Sequence, residues 1–177
     1  MSRSGSRMPV GASTHLVLVG MMGVGKTTVA RVLSERLQRP VLDSDAMIEE
    51  RTGRTVREIF AADGEPAFRT VETEVLRDAL ATSEPAIIAA AGGVVLSAEN
   101  RALLKASGAR VVWLCAQPST LVERVRGGGH RPLLDDDPEG TLQRMFTERE
   151  SLYREVADAI VLVDQRSISD VVEAVLR

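Results

Sequence analysis

Five short apolar runs punctuate the chain, at residues 15–19, 41–42, 86–90, 110–115 and 159–163. All are aliphatic or β-branched in character and too short for a helix, which predicts strands rather than helices. Between them apolar residues recur at three- and four-residue spacing. The clearest case runs from 26 to about 38, and another runs from 169 towards Arg177, so amphipathic helices are predicted there. Strands alternating with helices predict an α/β fold with a mainly parallel sheet and helices on both faces. In such a fold, ligands sit beyond the carboxyl ends of the strands.

No repeat, low-complexity block or linker interrupts residues 14–177, which read as one domain. Residues 1–13 are rich in Ser, Arg and Gly and lack the apolar stretch of a secretory signal, so a frayed extension is predicted. No run approaches the ~18 apolar residues of a membrane span. A cytoplasmic protein is the expectation.

Composition narrows the partners. The net charge is −3 and only 3% of residues are aromatic, which argues against a nucleic-acid binder. Lys26 and Lys105 are the only lysines among 22 basic residues, so arginine supplies nearly all the positive charge. Guanidinium is the better bidentate partner for carboxylate and phosphate. The single cysteine, Cys115, lies in the apolar run 111–115 and reads as a buried strand thiol.

The strongest chemical signal is Gly20-Met21-Met22-Gly23-Val24-Gly25-Lys26-Thr27. It matches G-x-x-x-x-G-K-[ST], placed directly after a predicted strand and directly before a predicted helix. Backbone N–H groups of such a loop wrap the phosphates, Lys26 reaches the β and γ oxygens, and the Thr27 hydroxyl ligates Mg²⁺. Gly23, Val24, Gly25, Lys26, Thr27 and Thr28 are therefore the expected nucleotide contacts. A guanine-reading Asn/Thr-Lys-x-Asp segment is absent, because Lys105 stands in Leu104-Lys105-Ala106-Ser107, and ATP is the expected nucleotide.

After the second strand comes Asp43-Ser44-Asp45. In an extended segment two residues an even step apart face the same side, so both carboxylates would reach one site, one near a metal and one near an acceptor hydroxyl. The other reading is a helix N-cap before Ala46-Met47-Ile48-Glu49-Glu50. Taken alone the segment supports both equally. The phosphate loop upstream favours the first.

Further motifs follow in order: Asp63-Gly64-Glu65-Pro66-Ala67-Phe68-Arg69 with Glu72, then Gly92-Gly93, Arg131-Pro132-Leu133-Leu134 and Leu152-Tyr153-Arg154. With the phosphate loop and Asp43-Ser44-Asp45, this series resembles the ordered signature of the shikimate kinases over residues 15–177. The resemblance implies a three-layer P-loop kinase fold with a five-stranded parallel sheet, Mg²⁺ and ATP, and phosphoryl transfer to the 3-hydroxyl of shikimate, on the route to chorismate and aromatic amino acids. It also implies roles. Asp45 binds the acceptor hydroxyls and takes the proton, and Asp43 stands near Mg²⁺. Arg69 and Arg154 clamp the shikimate carboxylate beside the Gly92-Gly93 backbone. Arg131 reaches the transferring phosphate from a glycine-rich lid at about 126–137, and Arg124 and Arg166 flank the adenine. Glu72 is expected to orient Arg69 as an i,i+3 pair. A monomer is expected.

One departure stands out: the family shows three glycines after the third strand, where this chain has Ala91-Gly92-Gly93. If Ala91 needs a positive φ or touches substrate, the methyl group strains the loop or trims the pocket. If it belongs to the strand, nothing follows. Two rivals remain open at this point: a related kinase acting on gluconate or a nucleotide, and an ATP-binding regulator without turnover. His15 and His130 lack metal-ligand spacing, and Asp135-Asp136-Asp137 reads as a solvated charge run.

Overall fold

The computed structural model describes residues 13–126 and 137–177. Five strands, β1 (Leu16–Val19), β2 (Val41–Asp43), β3 (Ile87–Ala89), β4 (Arg110–Cys115) and β5 (Ala159–Leu162), form one sheet in the order β2-β3-β1-β4-β5. Every pairing is parallel. A parallel sheet is covered on both faces, which is why its strands read as unbroken apolar runs rather than alternating ones. All four residues of central β1 are fully buried. Each such aliphatic side chain contributes roughly 1.5–3 kcal/mol on burial.

Among the described residues seven helices cover the sheet: α1 (Lys26–Leu37), α2 (Ser44–Thr52), α3 (Val56–Leu80), α4 (Ala98–Ala106), α5 (Pro118–Arg126), α6 (Pro138–Val156) and α7 (Ile168–Leu176). A 3₁₀ turn, Val94–Leu96, joins β3 to α4. α1 packs through Val29, Ala30 and Leu33 and ends at Gln38, whose left-handed φ of 52° lets its N–H reach the Ser34 carbonyl. α3 breaks at Gly64, where φ is 81° and ψ 172°, two residues before Pro66. Only glycine adopts that conformation readily. A separate apolar cluster, Ile48, Ile59, Phe68 and Val75, ties α3 to α2.

The predicted α/β layering and all five strands are present. Their register explains where ligands can go: the chain leaves β1 for β2 and β3 on one side and then crosses to β4 on the other. The carboxyl end of β1 is thus a topological switch point, with a crevice above it. On the opposite flank the fully buried Trp113 of β4 and Tyr153 of α6 stack at 5.4 Å with rings 20° apart. That contact seats α6 on the sheet.

Smaller expectations resolve as well. Cys115 is buried, and burial pushes its thiol pKa up. His15 accepts a hydrogen bond at Nδ1 from the Ala86 N–H (3.1 Å). Asp137 caps α6, accepting from the Gly140 N–H at 3.0 Å. Residues 1–12 of the expected extension, His130, Arg131 and the expected lid other than Arg126 and Asp137 lie outside the described residues. Among the described residues, no helix is long and apolar enough to cross a membrane.

Candidate active site

The loop from β1 to α1 owes its shape to three glycines at positive φ: Gly20 (146°), Gly23 (79°) and Gly25 (100°). Gly20 is also pressed against β4, since a Cβ there would fall 2.4 Å from the Leu114 carbonyl oxygen. Gly25 is the N-cap residue of α1 and supplies no side-chain cap, so the first-turn N–H groups remain available to an anion. Lys26 curls back over this turn, its Nζ donating to the carbonyls of Gly20 (2.6 Å) and Met21 (3.0 Å). The result is a ring of positive dipoles with one ammonium at its mouth.

Asp43 is the hinge between this loop and the next element. Its Oδ2 accepts a hydrogen bond from the Thr27 hydroxyl at 2.9 Å. Its Oδ1 accepts from the backbone N–H groups of Asp45 (3.1 Å) and Ala46 (3.3 Å), capping α2. The cap reading of Asp43-Ser44-Asp45 therefore holds for Asp43 through Oδ1, while Oδ2 faces the Thr27 hydroxyl. The extended geometry expected for the segment does not hold: β2 ends at Asp43 and Ser44 already opens α2. Asp45 reaches the site from the first turn of a helix. Asp43 and Asp45 nonetheless line one cavity of about 300 Å³, together with Gly25, Lys26, Thr27 and Gly92.

The Thr27 hydroxyl and the Asp43 carboxylate form an oxygen donor set suited to Mg²⁺, which keeps several waters and takes its other ligands from phosphate. Among the described residues there is no cluster of three or more His, Cys, Asp or Glu that could enclose a metal. A phosphate-bound ion needs no such cage.

A second cavity, of about 280 Å³, shares Gly23, Gly25 and Thr28 with the first and extends between Arg124 and Arg166 over Val163 and Val171. Arg124 is fixed there by donating from Nη1 to the Val24 carbonyl at 3.2 Å. Its apolar floor and flanking guanidinium groups suit a flat heterocycle.

Arg69 stands beyond the first cavity. It is held on both sides, by Glu72 (Nη1 to Oε1, 2.9 Å; to Oε2, 3.0 Å) and by Glu65 (Nη2 to Oε1, 3.0 Å). Its guanidinium lies flat on Gly93, where a Cβ would fall 2.3 Å from Nη1. The expected i,i+3 pair with Glu72 is thus present, and Glu72 itself is fully buried. Burial pushes the Glu72 pKa up, against the opposing pull of Arg69, and Asp45 adds to the upward shift from across the pocket. Burial is the largest single influence on Arg69 and opposes its charge, but Glu72 and Glu65 together outweigh it and the Arg69 pKa lies above its ordinary value.

Arg154 approaches from α6. It is exposed, paired with Glu150 at 3.0 Å, and sits 5.4 Å from the centre of the Trp113 ring. One residue before it, the buried Tyr153 hydroxyl donates to the Gly92 carbonyl at 2.5 Å. Burial raises the Tyr153 pKa to about 12, so the hydroxyl stays protonated as a donor. Neither Arg69 nor Arg154 lines the 300 Å³ cavity itself; Arg69 stands against Gly93, next to the Gly92 that bounds it.

Sequence reasoning missed two supports of this wall. The Ser44 hydroxyl accepts from the Ala91 N–H at 2.8 Å, and Arg149 is buried beneath Tyr153. Ala91 lines the cavity just after β3 and is not among the positive-φ residues, so its methyl group strains nothing.

Comparisons with known proteins bear on this geometry. The sequence model of the family described as "Shikimate kinase" matches residues 22–177. A shikimate kinase of Symbiobacterium thermophilum is 46% identical over 165 residues, covering 92% of this chain and 94% of that protein. One from Burkholderia lata is 44% identical, covering 92% and 88% respectively. The solved shikimate kinase from Acinetobacter baumannii in complex with shikimate superposes with a TM-score of 0.87 at 39% identity, over 92% of this chain and 90% of that one. With a phosphate loop facing two aspartates and an arginine locked against a glycine wall, this chain belongs to the shikimate kinase family.

Proposed function

We infer that the chain transfers the γ-phosphate of ATP to the 3-hydroxyl of shikimate, giving 3-phosphoshikimate and ADP, and that it does so as a cytoplasmic monomer built on residues 14–177. The observation that carries this reading is the meeting of two cavities at one phosphate loop, with Asp43 and Asp45 on the side away from Arg124 and Arg166. That arrangement separates a nucleotide from an acceptor and leaves the phosphoryl group between them.

The loop N–H groups and the Lys26 ammonium hold the β and γ oxygens, and Lys26 follows the charge as it develops on the transferring group. Thr27 and Asp43 hold Mg²⁺, which neutralises phosphate charge when bound. The Asp45 carboxylate accepts the hydrogen bond of the acceptor hydroxyl and takes its proton as the new P–O bond forms and the bond to ADP breaks. Arg69 and Arg154 hold the acceptor carboxylate, and that fixed point turns the hydroxyl towards Asp45. The assignment of Arg131 to the transferring phosphate rests on the sequence resemblance.

A gluconate or nucleotide kinase is the rival reading. The rigid Arg69 fork against Gly93 favours a compact carboxylate acceptor over a phosphate-bearing nucleoside. Arg69→Lys tests this directly, because an ammonium cannot reproduce a bidentate fork. The KM for shikimate should rise by about tenfold or more with the KM for ATP little changed. An unchanged shikimate KM detaches Arg69 from the acceptor.

Gly93→Ala probes the same contact from the other side. The new methyl group displaces only the end of a flexible side chain, and Gly93 has an ordinary φ of −88°. The fold should therefore survive, while the guanidinium is pushed off its position. A shikimate KM raised by about tenfold, with a melting temperature within a few degrees of the parent, is the expected result. A normal KM would mean the fork has no fixed place to hold.

A further inference from the structure

Ser44 stands between the two aspartates of the site, is only 2% exposed, and has no task in phosphoryl transfer as described. Its place follows from the sheet. β3 donates to β2 along a parallel ladder, in which a strand turns every second N–H to the same neighbour. The Ile87 N–H reaches the Pro40 carbonyl at 2.9 Å, and the same offset of 47 positions sets the Ala91 N–H opposite Ser44. By that point β2 has ended at Asp43, and the Ser44 carbonyl is drawn into the first turn of α2. The Ser44 hydroxyl takes its place, accepting from the Ala91 N–H at 2.8 Å. A side-chain oxygen thus adds one bond to the ladder after the backbone has left it.

That bond joins two sides of the acceptor cavity. β2 is an edge strand of three residues, held in the sheet by β3 alone. The Asp43 cap ties the Asp45 and Ala46 N–H groups back to Asp43, but to no residue of the wall opposite. In that wall the Ala90 N–H bonds the Leu18 carbonyl of β1 at 3.0 Å, and the Gly92 carbonyl receives the Tyr153 hydroxyl. Of these bonds to residues 90–92, the one made by Ser44 comes from the element that carries Asp45. Asp45, Ala91 and Gly92 all line the cavity of about 300 Å³. The donor is a backbone N–H, so the bond is indifferent to the alanine that this chain carries at 91 in place of glycine.

We propose that Ser44 is a positioning residue for the transfer step, its hydroxyl holding the first turn of α2, and with it the Asp45 carboxylate, in register with the Ala91-Gly92 wall. This rests on the reading given above, in which Asp45 takes the proton of the acceptor hydroxyl. A small displacement of that carboxylate is costly, because proton transfer requires it within hydrogen-bond reach of the hydroxyl.

The test is a double-mutant cycle between Ser44→Ala and Asp45→Asn, read as kcat by single turnover and as separate KM values for shikimate and ATP. Ser44→Ala alone should lower kcat by about tenfold or more and leave the ATP KM within about twofold, because the phosphate loop does not depend on it. In the Asp45→Asn background the same change should cost less than about twofold in kcat, since the carboxylate that Ser44 places is gone. A hydroxyl that only stabilises the fold gives the same loss in both backgrounds. A kcat for Ser44→Ala within about twofold of the parent overturns the proposal, and so does a loss of equal size with and without Asp45. If Ser44→Ala does not fold, Ser44→Cys, whose thiol fills the site but accepts only weakly, is read in the same two backgrounds by the same criteria. Asp45→Asn itself separates the two levels: a normal kcat there removes the reading of Asp45, whereas a lowered one beside a normal Ser44→Ala value removes only the role of Ser44.

Discussion

Replacing Lys26 by methionine is expected to lower kcat by about a thousandfold or more, at any concentration of either substrate. The side chain is half-buried at the mouth of the phosphate loop, and its Nζ donates to the carbonyls of Gly20 and Met21. Those two acceptors are uncharged, so they position the ammonium without cancelling its charge. In the transition state, negative charge spreads over the oxygens of the transferring group, and a cation already oriented there needs no reorganisation. Methionine keeps the length of the side chain and removes the charge. The loop itself should persist, because its shape comes from Gly20, Gly23 and Gly25 rather than from Lys26. Single-turnover kinetics with saturating substrates would measure the effect, and a near-normal rate constant would mean that the phosphate is held elsewhere.

Asp45→Asn should cost about a hundredfold in kcat while the shikimate KM changes by only a few-fold. The amide preserves shape but cannot take the hydroxyl proton. The variant should remain well folded because the cap of α2 belongs to Asp43, which accepts the Asp45 and Ala46 backbone N–H groups whatever side chain residue 45 carries. What is lost structurally is one acidic group in the first helical turn, worth roughly 0.3–1 kcal/mol. A pH–rate profile in both proteins separates chemistry from binding. If the variant instead shows a normal kcat and a raised KM, Asp45 binds the acceptor without accepting its proton.

The phosphate loop was legible because its chemistry is contiguous: strand, glycines, lysine and helix lie within thirteen residues of sequence from 15 to 27, and local backbone preference fixes their relation. Asp43 and Asp45 were legible as a pair, but for the wrong geometric reason. A three-residue edge strand followed at once by a helix has almost no periodicity to read, so the strand appeared to continue through Asp45. Arg69 and Glu72 sit on one helix, and their pairing follows from spacing alone. Arg149 left a trace only in its spacing: it falls on the inward stripe of α6 with Leu142, Met145, Tyr153 and Val156, which Arg144 and Arg154 do not share. How that stripe seats against β4, through the stack of Tyr153 on Trp113, is a contact between residues 40 positions apart. Ser44 left no local trace, since its hydroxyl meets the Ala91 N–H across 47 residues of chain. Ala91 posed a question that sequence left open, and ordinary backbone geometry at that residue removes the strain half of it.

The most direct measurement is an ADP-release assay on the full chain with Mg²⁺ATP and a panel of acceptors: shikimate, quinate, gluconate and nucleoside monophosphates. A fork at Arg69 for one carboxylate, with Asp45 facing the hydroxyls, predicts the highest kcat/KM for shikimate, with the phosphate on its 3-hydroxyl. A higher kcat/KM for gluconate or for a nucleoside monophosphate would contradict the account.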